Sequence, residues 1–131
     1  MTQQVYLSGR LVPREAATLN IYDHGFLYGD GLFEGIRAYS GRVFKLDEHI
    51  ARCYRSARAL DIDLGLDPAG MKQAVIDTVR ANKVDSGYIR LSASRGVGLG
   101  LDPAHIDRTA TVVISTEQLS LYPESMYKDG L

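Results

Sequence analysis

The chain has 131 residues, of which 45% are hydrophobic and 8% aromatic, and its 15 basic side chains almost balance 16 acidic ones, for a net charge of −1. A chain of this length can form one hydrophobic core, since a domain of about 150 residues buries roughly 70% of the surface that its unfolded form exposes. We therefore expect one domain. The balanced charge excludes the strongly basic surface with which proteins bind nucleic acid or an anionic membrane.

Targeting, disulfide and metal signals are missing from the sequence. The first ten residues lack the apolar stretch of a signal peptide and no segment has the roughly 18 apolar residues of a spanning helix, so we expect a cytoplasmic protein. Cys53 is the only cysteine, which excludes an internal disulfide and a thiolate-rich zinc site. His24, His49 and His105 lack the spacing of metal ligands, so we expect no metal site.

Two β-hairpins are predicted in the first part of the chain. Their turns are Ser8-Gly9-Arg10 and Ser40-Gly41, in which small residues tolerate a tight reversal. The flanking strands are Val5–Leu7 with Leu11–Val12 in the first hairpin, and Leu32–Tyr39 with Arg42–Leu46 in the second.

Two helices follow the hairpins. Asp47 lies near the start of the first, whereas Asp67 and Pro68 provide the N-cap and first residue of the second, which ends near Asn82-Lys83. Each helix carries one apolar stripe at helical spacing. The stripes are Ile50, Cys53, Ala57 and Leu60 in the first helix, and Met71, Ala74, Val75 and Val79 in the second.

Two further strands are predicted at Gly87–Arg95 and Thr109–Thr116. A glycine-rich loop joins them, running from Gly96 to Gly100 and onward through Asp102-Pro103. This loop does not match a dinucleotide fingerprint, and we interpret it as a flexible loop. The separation of strands from helices predicts an α+β fold, with a mostly antiparallel sheet and two helices packed on one face.

Alternation along two strands gives the sheet a second face of unusual composition. The side chains on one face of these strands are apolar, apart from Glu34, and are expected to meet the helices. The opposite face presents aromatic, arginine and small residues, namely Phe33, Gly35, Arg37 and Tyr39 on one strand and Tyr88, Arg90, Ser92 and Ser94 on the other. We call this set the wall.

The wall has two interpretations that the pattern alone does not separate. It can bind a small anionic molecule, because arginine holds a carboxylate through two hydrogen bonds while aromatic rings shape apolar space, and Gly35 would leave room for the ligand. A plain solvated sheet face explains the same residues equally well.

Glu34 and Arg52 raise the question of charge pairing. Glu34 falls on the face assigned to the helices, so it needs a partner there, and the arginines of the first helix are candidates. Arg52 lies four residues after Glu48, which predicts an ordinary ion pair within that helix.

The run from Tyr22 to Tyr39, YDHGFLYGDGLFEGIRAY, resembles class IV aminotransferases, the fold-type-IV pyridoxal-phosphate enzymes. The resemblance covers essentially the whole chain and implies the small N-terminal domain of such an enzyme for residues 1–131. Further matches are Leu46 and Glu48-His49 leading to Arg52, Ser56-Ala57, Gly87-Tyr88-Ile89-Arg90, Ser94-Arg95-Gly96-Val97-Gly98 and Gly100-Leu101-Asp102-Pro103.

The resemblance implies a transaminase that moves an amino group between an amino acid and a 2-oxo acid, with pyridoxal phosphate as the electron sink. Arg52 then resembles the arginine that holds the cofactor phosphate, with Glu48 orienting it. Arg90 resembles the group that receives the distal carboxylate of glutamate or 2-oxoglutarate. Positions that line the substrate pocket of branched-chain aminotransferases are occupied by Tyr28, Phe33, Gly35, Arg37, Tyr88 and Arg90.

Three alternatives to a branched-chain L-amino-acid aminotransferase stay open. D-amino-acid aminotransferases carry an arginine and a histidine in the loop after Tyr88-Ile89-Arg90, and the segment from Gly96 to Leu101 lacks that pair. Aminodeoxychorismate lyase, which eliminates pyruvate, is the next relative. The third alternative is a non-catalytic ligand-binding or dimerisation module.

The family's catalytic lysine, the acidic residue at the pyridine nitrogen and the tyrosine at the phenolic oxygen belong to the larger C-terminal domain. None of the four lysines, Lys45, Lys72, Lys83 and Lys128, lies in the family's lysine context. We therefore expect that this chain lacks that domain and contains no catalytic residue. We also expect no activity from the chain alone. The resemblance also implies at least a homodimer.

Overall fold

A computed structural model describes residues 2–102, 104, 106, 109–118 and 122–130. Pro103 and His105, which figured in the predicted loop and the search for metal ligands, lie outside the described residues. Within the described part, no helix is both long and apolar enough to span a membrane.

Among the described residues, six strands form one sheet in which every neighbouring pair is antiparallel. The strands are β1 (Gln4–Leu7), β2 (Arg10–Pro13), β3 (Gly31–Tyr39), β4 (Arg42–Val43), β5 (Gly87–Ser94) and β6 (Thr111–Glu117). Their order across the sheet is β2-β1-β6-β5-β3-β4. The long strands β3 and β5 are therefore neighbours, and the predicted wall residues lie side by side.

Both predicted hairpins are confirmed, with two-residue turns at Ser8-Gly9 and Ser40-Gly41. All four turn residues have positive φ, as the commonest two-residue hairpin turn requires. The strand predicted over Arg42–Leu46 is shorter than expected and ends at Val43. It ends early because Lys45 takes the left-handed conformation, with φ of 55°, and the next helix begins immediately afterwards.

The helices are α1 (His24–Tyr28), α2 (Leu46–Leu60), α3 (Pro68–Ala81) and α4 (Glu124–Asp129). The two long ones confirm the prediction, and the Asp67 side chain accepts a hydrogen bond of 2.7 Å from the Gly70 N–H at the start of α3. Sequence reasoning missed α1 and α4, which have five and six residues and are too short to show a helical period.

The hydrophobic core lies between α2, α3 and one face of the sheet, as predicted. Cys53 and Met71 are fully buried there. Leu60 does not belong to the buried stripe of α2, since it is 41% exposed at the end of the helix, and Leu46 is buried instead. The core holds α2 against β3, and that contact positions the charged residues of the site.

Candidate substrate- and phosphate-binding site

The wall forms as the alternation predicted. Along β3, Glu34, Ile36 and Ala38 are buried, whereas Phe33 and Gly35 are exposed on the opposite face. The register aligns the two strands of the wall, with Phe33 opposite Ser92, Gly35 opposite Arg90, and Arg37 opposite Tyr88. Five of the six predicted substrate-binding residues thus share one face of two adjacent strands.

Arg90 rests on the ring of Phe33. The guanidinium carbon lies 4.2 Å from the ring centroid, and the Nε–H donates to the hydroxyl of Ser92 at 3.2 Å. No carboxylate of the described residues forms an ion pair with Arg90. Because the ring face occupies no donor, the terminal N–H groups of Arg90 stay available to an external carboxylate beside an apolar surface.

Gly35 serves a different purpose from the one expected. A Cβ atom at this position would lie 3.1 Å from both Cε2 and the hydroxyl oxygen of Tyr88. The space above Gly35 is therefore filled by the Tyr88 ring, and the expectation that it leaves room for a ligand is wrong. The missing side chain lets the hydroxyl end of the Tyr88 ring come close to the strand backbone.

Tyr28 lies outside the wall, whereas Arg37 lies within it on β3. Tyr28 is on α1, where its ring meets that of His24 edge-on at a centroid distance of 4.9 Å. The Arg37 guanidinium lies 5.8 Å from the ring centroid of Tyr39. Within the described part of the chain, Tyr28 makes no hydrogen bond or ring contact with the other predicted substrate residues.

Glu34 finds the partner that its burial requires, on α2. Arg52 donates through Nη2 to Oε1 at 2.8 Å and through Nε to Oε2 at 2.9 Å, a two-pronged ion pair. The Nδ1 atom of His49 lies 2.6 Å from the same Oε1. Burial raises the pKa of the Glu34 carboxyl, but the hydrogen bonds from Arg52 and His49 outweigh it, and the pKa lies below its ordinary value.

The predicted ion pair between Glu48 and Arg52 does not form among the described residues. Glu48 is exposed, whereas Glu34 is only 4% exposed. A buried carboxylate gains far more from a cationic partner than one in water, so Glu34 takes the guanidinium. The residue that orients Arg52 is therefore Glu34, and the expectation for Glu48 is wrong.

Arg52 lies on the other side of β3 from the wall. Its side chain is 59% exposed, and its Nη1 has no partner among the described residues. The guanidinium thus has one edge fixed to a buried carboxylate and one edge free. Such a fork fits a phosphate group, whose oxygens accept parallel hydrogen bonds.

A second charged cluster, which sequence reasoning missed, fixes the chain around α1. Arg95 donates to Asp30 at 2.6 Å and to the carbonyls of Leu60 and Asp61, while the Asp23 carboxylate accepts from the Thr111 hydroxyl at 2.6 Å. The hydrogen bond from Arg95 is the main cause that lowers the pKa of Asp30.

The same region ties down the start of the glycine-rich loop, where Val97 pairs with Asp23 and the His24 N–H donates to the Gly96 carbonyl at 2.8 Å. The loop interpreted as flexible is therefore bonded to α1 at this point. The sequence signals this arrangement only through the motifs that match the family, which contain Asp23, Asp30 and Arg95.

Comparison with known proteins identifies the family. Residues 31–129 match the family model of amino-transferase class IV. The chain belongs to the class IV aminotransferases. Enzymes of this family use pyridoxal phosphate, and the fold agrees with the expected small N-terminal domain.

Two relatives show the breadth of the class IV aminotransferase match. A protein of Methanocaldococcus jannaschii named "Putative branched-chain-amino-acid aminotransferase" is 52% identical over 129 residues, which are 98% of this chain and 43% of that protein. The D-alanine aminotransferase of Bacillus licheniformis is 39% identical over 76% of this chain and 38% of its own length. The chain thus spans less than half of each relative.

A solved structure gives the same picture. The branched-chain amino acid aminotransferase of T.th., complexed with N-(5'-phosphopyridoxyl)-L-glutamate, is 31% identical, with a TM-score of 0.80 over 91% of this chain and 41% of that one. The six-stranded sheet and its helices therefore have the fold of the N-terminal domain of fold-type-IV aminotransferases.

Proposed function

We propose that this chain is the substrate-selecting and phosphate-holding part of an aminotransferase that moves an amino group between a branched-chain L-amino acid and 2-oxoglutarate. The observation that carries the proposal is Arg90 lying on the Phe33 ring, without an ion pair to any described carboxylate. One pocket must accept an apolar side chain in one half-reaction and a carboxylate in the other. A guanidinium at the edge of an aromatic surface suits both.

In this proposal the wall residues divide the recognition between them. Arg90 donates hydrogen bonds to the distal carboxylate of glutamate or 2-oxoglutarate. Phe33 and Tyr88 contact the aliphatic side chain of leucine, isoleucine or valine, with Gly35 admitting the Tyr88 ring. Tyr28 and Arg37 complete the set of residues proposed to line the pocket.

Arg52 is proposed to hold the cofactor phosphate. Pyridoxal phosphate, when bound, supplies the electron sink for transamination. The contribution of this chain is the fork of Arg52, whose Nε and Nη2 edge is held by Glu34 and whose Nη1 edge faces outward. A guanidinium fixed in this way binds a dianion without first having to be ordered.

The relatives support the branched-chain substrate more than the D-amino-acid alternative. The match to the Methanocaldococcus jannaschii protein is higher in identity and longer than the match to the D-alanine aminotransferase, 52% over 129 residues against 39% over 107. The solved relative holds a phosphopyridoxyl-L-glutamate conjugate, which combines the cofactor and the charged substrate of the proposal. The D-alanine match keeps the D-enzyme as the second candidate.

A donor panel tests the substrate class in the catalytically competent protein that contains this chain. With 2-oxoglutarate as acceptor, we expect L-leucine, L-isoleucine and L-valine to form glutamate, and D-alanine to be turned over at least tenfold more slowly, a factor that corresponds to about 1.4 kcal/mol. Preference for D-alanine would establish the D-enzyme instead. Release of pyruvate from aminodeoxychorismate would establish the lyase.

The 131 residues alone are proposed to be inactive, because the chain supplies no lysine at the wall. Lys72 pairs with Asp47 on the helix layer at 2.7 Å, and Lys45 lies near the ring of Phe44. We expect the purified chain mixed with pyridoxal phosphate to show no lysine-linked absorbance band. Such a band, abolished by Arg52→Ala, would contradict this proposal.

The non-catalytic module stays as an alternative of another class. Mass spectrometry of the intact source protein separates the two, since a product longer than this chain supports the transaminase and a native product ending at Leu131 supports the module. We also propose that the active protein is at least a homodimer. Analytical ultracentrifugation would contradict that proposal if it gave the mass of a monomer.

A further inference from the structure

His49 contacts the same buried carboxylate as Arg52 without taking part in the proposed phosphate contact. Its Nδ1 lies 2.6 Å from Glu34 Oε1, and its side chain is 18% exposed. Since Glu34 is ionised and has only acceptors, the Nδ1 atom carries the hydrogen and donates it. Among the described contacts, His49 is linked to Arg52 through Glu34.

We propose that His49 is a positioning residue for the phosphate-binding arginine. By donating to Glu34 Oε1, it fixes the plane of the carboxylate that grips Arg52, and so keeps the Nη1 edge of the guanidinium turned outward. The inference rests on the proposed phosphate-binding role of Arg52.

The geometry around the carboxylate shows why a third group is needed. The terminal torsion of a glutamate side chain is broad, so the carboxylate and the guanidinium bound to it can turn together. Arg52 donates to both oxygens, at 2.8 and 2.9 Å, and His49 adds a third contact, 2.6 Å from Oε1. The fork keeps the carboxylate and the guanidinium in one plane, and the third donor opposes rotation of the pair as a unit.

Arg52 needs such a fixed partner because it is mostly exposed. A long, exposed arginine samples many rotamers, and ordering it on binding an anion reduces affinity. Tethering the Nε and Nη2 edge removes that freedom before the anion arrives. The effect of His49 is then pre-organisation of Arg52 and not an added charge at the phosphate.

Two substitutions of similar size separate positioning from simple packing. His49→Asn keeps an N–H donor close to the place of Nδ1, whereas His49→Leu has nearly the same shape without the donor. A role in packing alone predicts that the two variants behave alike. Positioning predicts that asparagine rescues what leucine loses.

The first readout is hydrogen exchange of the Arg52 Nε–H, followed by ¹⁵N NMR on the 131-residue chain without ligand. We expect His49→Leu to speed this exchange about tenfold and His49→Asn to stay close to the wild-type rate. The factor of about ten corresponds to the loss of one hydrogen bond to a charged group. Unchanged exchange in His49→Leu would overturn the inference, as would equal acceleration in both variants.

The second readout is the affinity for pyridoxine 5'-phosphate, which carries the phosphate but no aldehyde, with pyridoxine as the control. We expect about tenfold weaker binding in His49→Leu and near wild-type binding in His49→Asn. If Arg52→Ala loses binding but His49→Leu binds as the wild type does, the role of His49 is overturned and the role of Arg52 stands. Wild-type binding in Arg52→Ala would overturn the proposed phosphate role of Arg52, and the inference with it.

Discussion

Replacing Glu34 by glutamine tests the buried ion pair that holds Arg52 in place. The substitution keeps the size of the side chain and removes its charge. The amide group also brings N–H donors to a site where Arg52 and His49 already donate. If the amide nitrogen takes the place of Oε2, it faces the Nε–H of Arg52 at the present distance of 2.9 Å.

The magnitude follows from the change in hydrogen-bond type. A hydrogen bond to a charged group contributes about 1.5–3 kcal/mol and a neutral one about 0.5–1.5 kcal/mol, so each of the two partner groups loses roughly 1 kcal/mol. Glu34 is only 4% exposed, and water does not compensate for the loss. We therefore expect the free energy of unfolding at pH 7 to fall by about 2 kcal/mol.

The difference between the two proteins has a defined pH dependence. The pKa of Glu34 lies below its ordinary value of 4.5 in the folded protein, so its carboxylate stabilises the fold above pH 4.5. That stabilisation is lost as the pH falls through the lower, folded pKa. Glutamine does not titrate, so the advantage of the wild type should shrink as the pH falls below about 4.5.

Urea denaturation followed by circular dichroism measures both effects, at pH 7 and at pH 3. Glu48→Gln is the matched control, since Glu48 is exposed on the same helix as His49 and Arg52 and forms no ion pair with Arg52. We expect this control to stay within about 0.5 kcal/mol of the wild type. A loss below about 0.5 kcal/mol in Glu34→Gln, or a loss that is the same at both pH values, would refute the reasoning.

Three further outcomes follow from the packing. Gly35→Ala should displace the Tyr88 ring, since the new Cβ lies 3.1 Å from it, and unchanged NMR shifts of the Tyr88 ring protons would contradict that contact. Burial raises the pKa of the Cys53 thiol to about 11, so iodoacetamide at pH 8 should label this thiol only in urea concentrations that unfold the chain. Mass spectrometry measures the labelling. Labelling of the folded chain as fast as the unfolded one would disprove the burial of Cys53. Asp30→Asn should reduce the free energy of unfolding by about 1 kcal/mol at pH 7 and by less near pH 3. The pH dependence is expected because the hydrogen bond from Arg95 lowers the pKa of Asp30. A loss in denaturation curves that does not change with pH would contradict this role of Arg95.

The two faces of the sheet could be predicted from the sequence because strand alternation is a local rule. That rule placed Phe33 and Arg90 on one face and Glu34 on the other before any contact was known. It also indicated that Glu34 needs a partner on the helix side. The stripes of α2 and α3 followed from helical spacing in the same way, except at Leu60, where the helix ends.

The pairing of the charged residues could be predicted only in part, since it depends on register and burial. The need of Glu34 for a partner pointed to the arginines of α2 without choosing among them. The i,i+4 rule favoured Glu48 as the partner of Arg52, whereas burial favours Glu34, which is 18 residues away. Asp30 and Arg95 are 65 residues apart and meet only when α1 folds against β5. Likewise, the use of Gly35 depends on the Tyr88 ring, which lies on the neighbouring strand.

The most direct test of substrate selection by the wall is the effect of Arg90→Ala on two oxo acids, measured in the active protein that contains this chain. We expect kcat/KM to fall about 10- to 100-fold for 2-oxoglutarate, which corresponds to one or two hydrogen bonds to its distal carboxylate. For 4-methyl-2-oxopentanoate, whose side chain is apolar, kcat/KM should change less than about threefold. An equal loss for both oxo acids would contradict the assignment of Arg90 and, with it, the proposed selection of substrates by the wall.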